Sequence, residues 1–135
     1  MISSNMIAGI IVGHGVLPDA IYKTIRSIIG PQENFQIVSN ENCSADELKQ
    51  RLEGAIEKLK SHDIIIFADL LGGSCGIVSE KIIKAKKTPN ICLICPVQVP
   101  MLIKFFQYRD KHNLQDLIQL LVETGKSEIK VITSK

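Results

Sequence analysis

The sequence predicts an α/β protein, in which a mostly parallel open sheet lies between two layers of helices. Short apolar runs, typical of buried strands, alternate along the chain with longer stretches in which apolar residues recur at helical spacing. Strands that are separated in this way by helices form parallel sheets with helices on both faces. The length of 135 residues suits a single domain over residues 1–135.

The first element is an apolar run over residues 7–12, which ends at Gly13 and predicts a strand buried on both faces. Apolar residues then recur at helical spacing over residues 17–29, and the pair Gly30-Pro31 ends that helix. Residues 35–38 predict the second strand.

The second helix carries its own start signal. Ser44 and Glu47 form a capping box ahead of an apolar stripe that runs to Leu59. The strongest strand signal follows at residues 64–68, and this strand leads into the glycine-rich segment 69–74.

The second half of the chain continues the alternation. A helix with apolar residues over 78–85 precedes a fourth strand at residues 91–94. Pro100 suits the first turn of the next helix, because the N–H that proline lacks has no helical partner there. Asn113 predicts the cap of a last helix, and Gly125 predicts its end.

Composition and charge exclude several classes of function. The net charge of +2, without a basic tract interleaved with aromatics, argues against a nucleic-acid partner. No apolar run reaches the roughly 18 residues that a membrane span needs. The N-terminus lacks the pattern of a signal peptide, so we expect a cytoplasmic protein.

The four cysteines fit the same compartment. They are Cys43, Cys75, Cys92 and Cys95. A chain of this length builds its own core and needs no disulfide framework. Cys92 and Cys95 have the CxxC spacing of redox proteins, but residues three apart in a strand point to opposite faces. We interpret the cysteines as buried reduced thiols and keep a redox protein as an alternative.

Two of the predicted strands end in residues that can carry chemistry. His14 stands between two glycines directly after the first strand, and Asp69 directly follows the third. Gly72, Gly73 and Ser74 then precede a helix. Open α/β sheets bind their ligands at the carboxyl ends of their strands. If the first and third strands are neighbours, about 4.8 Å apart, the two loops meet at that edge.

This combination suits transfer of a phosphoryl group to the histidine. An imidazole attacks phosphorus through an unprotonated ring nitrogen, and a carboxylate beside the other nitrogen sets the required tautomer. We assign this role to Asp69. The N–H groups and hydroxyl of Gly72, Gly73 and Ser74 can bind phosphoryl oxygens at the positive end of a helix dipole. The predicted catalytic residues are therefore His14 and Asp69, and the other three form the phosphoryl-binding segment.

Each of these features alone also has a structural explanation, since lone histidines are often structural and glycine pairs make tight turns. Two other phosphate motifs do not fit. Pro18 stands where GxGxxG has its third glycine, and Ser74-Cys75 stands where a P-loop has Lys and Ser or Thr. His62 and His112 lie in polar connections without metal-ligand spacing to the cysteines, so we predict solvated loop residues and no metal site.

Four blocks of sequence stand out along the chain: IVGHG at residues 11–15, FADLLGGS at 67–74, VPML at 99–102 and VETGK at 122–126. Together they resemble the IIA domains of mannose-type (mannose/fructose/sorbose) phosphoenolpyruvate-dependent sugar phosphotransferase systems. The resemblance covers nearly the whole chain, from residue 7 to the last apolar segment. It implies the sheet architecture argued above.

The resemblance implies a phosphoryl relay without a metal or organic cofactor. The carrier HPr would phosphorylate His14, and His14 would pass the phosphate to a IIB protein or domain. IIB in turn phosphorylates sugar as the membrane subunits IIC and IID import it. The resemblance also implies a homodimer in which the last strand crosses to the other subunit. The apolar residues 129–132 predict such a fifth strand, which would otherwise need an edge in its own sheet.

Two alternatives share this fold. One is the phosphocarrier subunit of a dihydroxyacetone kinase, which has the same histidine, and the other is a non-catalytic regulatory module. The segments 72–74 and 100–102 favour the sugar-transport branch, and the pair of His14 and Asp69 argues against the module.

The chain departs from the family pattern at three places. Leu70-Leu71 stands where Thr-Trp is common, Cys75 where Pro or Thr is common, and Pro96-Val97-Gln98-Val99 where Gly-Val-Asn-Leu is usual. These departures concern the surface that would meet a partner, and they leave the histidine and the aspartate in place.

Overall fold

The computed structural model describes residues 6–85 and 90–135 and confirms the predicted α/β architecture. In chain order these residues form β1 (Ala8–Gly13), α1 (Leu17–Ile29), β2 (Phe35–Ser39), α2 (Ala45–Lys58), β3 (Asp63–Ala68), α3 (Ser74–Ala85), β4 (Asn90–Ile94), α4 (Val99–Tyr108) and α5 (Leu114–Ser127). None of these helices is long and apolar enough to cross a membrane.

The four strands pair in parallel in the order β2-β1-β3-β4. The condition for the two loops to meet is therefore fulfilled, because β1 and β3 are adjacent and Val12 of β1 lies opposite Ala68 of β3. After β1 the chain adds β2 on one side of β1 and then β3 on the other. The strand order reverses at this point, so that a crevice opens where the ends of β1 and β3 diverge.

Helices cover both faces of the sheet, which gives the three predicted layers. Ile10 of β1 and Ile66 of β3 are fully buried against α2 and α3. Ile11 and Phe67, one position further along each strand, point to the other face and pack against α1, α4 and α5. Burying a side chain of this size stabilises the fold by about 1.5–3 kcal/mol.

A buried arginine connects the end of α4 to the segment before β2. Arg109 is only 3% exposed. Its Nη2 donates to the backbone carbonyl of Glu33 at 2.7 Å, and its Nη1 donates to that of Asn34 at 3.4 Å. The guanidinium also lies 5.2 Å from the ring centre of Phe106. These contacts compensate for the removal of the charge from water.

The predicted helix caps are confirmed. The Ser44 hydroxyl accepts from the Glu47 N–H at 3.1 Å, and a Glu47 carboxylate oxygen accepts from the Ser44 N–H at 3.0 Å. The Asn113 side chain accepts from the N–H of Asp116 at 2.8 Å. Gly30 ends α1 with a φ of 85°, a conformation that favours glycine.

The prediction that Gly125 ends the last helix is wrong, because α5 continues to Ser127. Gly125 instead allows α5 to approach α4. A Cβ at this position would lie 2.9 Å from Cε of Met101. The carbonyl of Gly125 also accepts a hydrogen bond from Nε2 of Gln98 at 3.0 Å.

The fifth strand predicted at residues 129–132 does not form within the single chain. Among the described residues, the sheet has four strands, and residues 129–135 belong to none of them. Ile129, Val131 and Ile132 expose 75%, 86% and 94% of their surface. A strand needs a neighbouring strand to satisfy its backbone N–H and C=O groups, and this segment meets none in its own subunit.

Candidate functional site

His14 and Asp69 meet at the carboxyl ends of β1 and β3, as predicted from the two loops. The backbone N–H of His14 donates to Oδ2 of Asp69 at 2.9 Å. The ring nitrogen Nδ1 of the same histidine lies 2.8 Å from the same oxygen. The remaining oxygen, Oδ1, accepts from the backbone N–H of Leu70 at 2.9 Å. Both carboxylate oxygens are therefore used, and Oδ2 is used twice by one residue.

These contacts set the charge of Asp69 and the tautomer of His14. Burial by itself raises the pKa of the Asp69 carboxyl, but the hydrogen bonds from the backbone and ring of His14 outweigh it and lower that pKa below its usual value. An ionised carboxylate can only accept hydrogen bonds, so Nδ1 carries the proton. In the neutral ring, Nε2 then has a free lone pair.

The loop that holds His14 is shaped by its two glycines and by the end of β2. A Cβ on Gly13 would lie 3.1 Å from Oδ2 of Asp69, so a side chain there would disturb the carboxylate. Gly15 has a φ of 59°, which favours glycine. Its N–H donates to Oδ1 of Asn40 at 3.0 Å, and its carbonyl accepts from the hydroxyl of Ser39 at 2.6 Å.

The start of α3 lies beside the other side of the histidine ring. A Cβ on Gly73 would lie 2.8 Å from Cε1 and 3.2 Å from Nε2 of His14, so only glycine lets the ring pack there. Ser74 opens α3, and its hydroxyl lies 3.5 Å from Nδ2 of Asn40. A Cβ on Gly72 would point into open space, so this glycine is not packed against the ring. The free N–H groups at a helix start attract anions, and the start of α3 directly follows Gly73, which packs against the ring.

The ring of His14 is open to a partner, while its carboxylate is not. The side chain of His14 is 39% exposed, against 10% for Asp69. Large apolar side chains on the same two loops and on the first turn of α3 are also exposed. They are Val16, Leu17, Leu70, Leu71 and Ile77, which we call the apolar rim. The crevice beside Gly13 and Asp69 is too narrow to admit a water molecule.

Cys75 joins the site although the sequence analysis did not predict it there. Ligating atoms of His14, Asp69 and Cys75 all lie within 4.8 Å of one another. Burial above all, and then the charge of Asp69, raise the pKa of this thiol to about 11. The sequence does place Cys75 directly after Ser74, the last residue of the predicted phosphoryl-binding segment, and this position could have indicated its place in the site. Asn40 was also missed, although it follows β2 at the same edge of the sheet.

The other histidines and the CxxC pair lie elsewhere. His62 and His112 are exposed, and both line a recess of about 510 Å³ together with Asp63 at the amino end of β3, away from His14. Cys92 and Cys95 pack on opposite sides of the sheet, as predicted. Burial raises the pKa of the Cys92 thiol to about 12, which makes it a poor nucleophile.

Residues 8–122 match the family model of the PTS system fructose IIA component, EIIA-man. The chain belongs to this family. It is thus a mannose-type IIA component of the sugar phosphotransferase system, and the family predicted from the four sequence blocks is confirmed.

Relatives of this IIA component point the same way. The mannose-specific EIIAB component of Escherichia coli K12 is 29% identical over 136 residues, which cover 96% of this chain and 41% of the relative. The chain therefore spans about two fifths of the length of the curated relatives that it matches.

Solved structures show the same fold. Component EIIA from Streptococcus agalactiae has a TM-score of 0.87 at 24% identity, with 93% of this chain and 97% of the other covered. The mannose/sorbose specific IIA subunit from Enterococcus faecalis has a TM-score of 0.79 at 18% identity, with 96% and 97% covered.

Proposed function

We propose that this IIA component accepts a phosphoryl group from HPr on Nε2 of His14 and passes it to a histidine of a IIB protein during sugar uptake. The observation that carries this proposal is the 2.8 Å contact between Nδ1 of His14 and Oδ2 of Asp69. It leaves Nε2 as the nucleophile, beside the start of α3.

The transfer needs no proton and no redox partner. The lone pair of Nε2 attacks phosphorus in the phosphohistidine of HPr, and a P–Nε2 bond forms as the donor's N–P bond breaks. The bonding electrons return to the ring of HPr. The ring of His14 becomes positively charged, and the carboxylate of Asp69 stabilises that charge. Transfer to IIB runs through the same steps with His14 as the donor.

The start of α3 binds the phosphoryl oxygens in this proposal. Gly73 lies against the ring edge that carries Nε2, and the N–H groups at the start of the helix face incoming negative charge. The hydroxyl of Ser74 is a further donor in the same turn. Gly72 can contribute only its backbone N–H. A Cβ at this position would meet open space, so packing does not require a glycine here.

The surface around His14 suits proteins as donor and acceptor. A pocket for a small molecule of the size of a sugar typically has a volume of about 300 Å³ or more. The crevice at Asp69 has no such room, whereas the apolar rim offers exposed side chains that a partner protein could cover. We propose that HPr and IIB dock in turn on this rim, on the cytoplasmic side of the membrane subunits IIC and IID.

Incubation with phosphoenolpyruvate, enzyme I and HPr tests the proposal. We expect one acid-labile phosphate per chain, and none in His14→Ala. His62→Ala is the matched control, because it removes an exposed histidine at the other end of the sheet. Sugar uptake that survives intact in cells carrying His14→Ala would refute the assignment.

The family match and the named relatives favour sugar transport over the phosphocarrier subunit of a dihydroxyacetone kinase. For a non-catalytic module, the intact hydrogen bonds between His14 and Asp69 would have no purpose. A redox function is disfavoured, because the thiols of Cys92 and Cys95 face different sides of the sheet.

We further propose a homodimer in which residues 129–135 of one subunit pair with the exposed edge of β4 in the other. Among residues 6–85 and 90–135, the sheet ends at β4, so this strand has a free edge. A mostly apolar recess of about 310 Å³ lies at the end of β4, lined by Ile94, Gln98 and Met101 among others. Within the described residues, the buried Oε1 of Gln98 has no hydrogen-bond partner, and an N–H from a second chain could supply one.

Sedimentation tests this assembly. We expect the full chain to sediment as a dimer and a variant that ends at Glu128 to sediment as a monomer. The triple variant Ile129→Ser, Val131→Ser, Ile132→Ser keeps the length of the chain and should weaken the dimer as well. A full chain that stays monomeric at every concentration would contradict the exchange.

A further inference from the structure

Three side chains of different chemistry, each able to bind a metal, meet at the carboxyl end of the sheet. They are His14, Asp69 and Cys75, with ligating atoms within 4.8 Å of one another. A tetrahedral zinc ion binds N, O and S ligands at about 2.0–2.3 Å, which places these ligands roughly 3.4–3.6 Å apart. The present contact of 2.8 Å between Nδ1 and Oδ2 therefore has to widen slightly, and the sulfur has to approach by about 1 Å or less.

We infer that His14, Asp69 and Cys75 form a binding site for Zn²⁺ or a similar thiophilic divalent cation, and that the bound metal blocks His14. An imidazole nitrogen, a carboxylate oxygen and a thiolate are ligands that zinc accepts together. Magnesium and calcium prefer sites made of oxygen alone, so they are not expected here.

A site that binds a metal reversibly needs ligands shielded from water and one side open to solvent, and the three residues provide both. Cys75 is fully buried and the side chain of Asp69 is only 10% exposed, so water competes little for two of the three ligands. His14 is 39% exposed, so that the metal can enter on this side and keep a water molecule as its fourth ligand. Oδ2 of Asp69 and Nδ1 of His14 already face each other, so a cation that replaces the ring proton finds two ligands in place.

Metal binding would remove the nucleophile of the proposed carrier. Zinc takes the place of the proton between Nδ1 and Oδ2, and the ring proton moves from Nδ1 to Nε2. The thiol of Cys75 loses its proton to solvent as the S–Zn bond forms. Nε2 then has no free lone pair for phosphorus. This inhibition rests on the proposed function, whereas the binding of the metal does not.

Metal binding is measured without any phosphotransferase partner. The full chain, reduced and freed of metal, is titrated with Co²⁺ as the spectroscopic probe and with Zn²⁺ in competition with a chromogenic chelator. We expect one ion per chain and a thiolate-to-cobalt charge-transfer band. Cys75→Ser should lose the band and bind Zn²⁺ at least about tenfold more weakly, since even losing an outer hydrogen-bond partner of a ligand costs that much.

Two further variants keep the test decisive. Cys92→Ser removes a partly buried thiol at a position away from the site and should keep the band. His14→Ala alters an exposed side chain and should weaken Zn²⁺ binding while circular dichroism shows an unchanged fold. This variant decides the question if Cys75→Ser does not fold. Absence of the band in the native chain, its survival in Cys75→Ser, or unchanged Zn²⁺ affinity in His14→Ala would overturn the site.

The inhibition is tested by transfer of phosphate from phosphorylated HPr in the presence of Zn²⁺ or of a chelator. For each variant, the rate with Zn²⁺ is divided by the rate of the same variant with chelator. We expect a strong reduction by Zn²⁺ in the native chain and little in Cys75→Ser. Equal reduction in both would place the effect of zinc on HPr and overturn the inhibition. If no transfer occurs even with chelator, the proposed carrier function fails, while the titration still decides the metal site.

Discussion

Replacing Asp69 by asparagine tests whether the carboxylate stabilises the charge that the proposed phosphorylation would place on His14. The side chain keeps its shape but loses its charge. In the native chain, Oδ2 of Asp69 accepts two N–H groups of His14, and Oδ1 accepts the N–H of Leu70. An amide has only one oxygen, so its NH₂ group has to face at least one of these donors.

The magnitude follows from the two kinds of hydrogen bond at Oδ2. The bond from the backbone N–H is the same before and during transfer. Its weakening therefore lowers the free energy of unfolding, by about 1 kcal/mol, and not the rate of transfer. The bond from the ring strengthens as the ring gains charge. Replacing its charged acceptor by a neutral one costs about 1.5–3 kcal/mol at that stage, which slows transfer roughly 10- to 150-fold.

The assay is a single turnover from phosphorylated HPr, with rapid quenching and a count of acid-labile phosphate. Asp63→Asn is the matched control, because it makes the same substitution at the other end of β3, where the carboxylate accepts only from Asn90 in the described contacts. We expect a rate close to that of the native chain for this control. A rate for Asp69→Asn within about twofold of the native chain would remove the carboxylate from the mechanism.

Four further substitutions have direct expectations. Gly73→Ala should slow phosphorylation about tenfold or more, because its methyl group would lie 2.8 Å from the ring of His14, and Gly72→Ala, whose methyl group meets open space, should slow it far less in the same assay. Arg109→Met should lower the free energy of unfolding by about 1–3 kcal/mol in urea titrations, because it removes the hydrogen bonds from the buried guanidinium to the carbonyls of Glu33 and Asn34. Ser44→Ala removes the capping box and should lower the free energy of unfolding by about 1 kcal/mol in the same kind of titration. For either variant, an unchanged urea midpoint would contradict the assigned contacts.

Sequence patterns predict most of this fold because the signals are local. The cap at Ser44, the glycine after Ile29 and the apolar strands each act within a few residues, and the structure confirms them. The sequence places His14 and Asp69 at the carboxyl ends of two parallel strands, and the structure supplies the remaining condition, because β1 and β3 are neighbours.

The failures share a different cause. Gly125 has the local appearance of a helix stop, but contact with Met101 on another helix determines its role. Residues 129–132 have the apolar content of a strand but meet no partner strand in the part of their own subunit that the structure describes. Cys75 and Asn40 are far from His14 in sequence and come close to its loop only when the chain folds. No spacing pattern in the sequence predicts these contacts.

The double use of Oδ2 by His14 has a consequence for the speed of encounter. The backbone N–H and the ring nitrogen of one residue end on one oxygen, so the atoms between them form a closed loop and the imidazole cannot swing freely about its side-chain torsions. Its rotational entropy is given up once, during folding. Ordering a side chain at each collision costs about 0.5–1.5 kcal/mol, and a partner protein of the proposed relay would meet this ring already aligned.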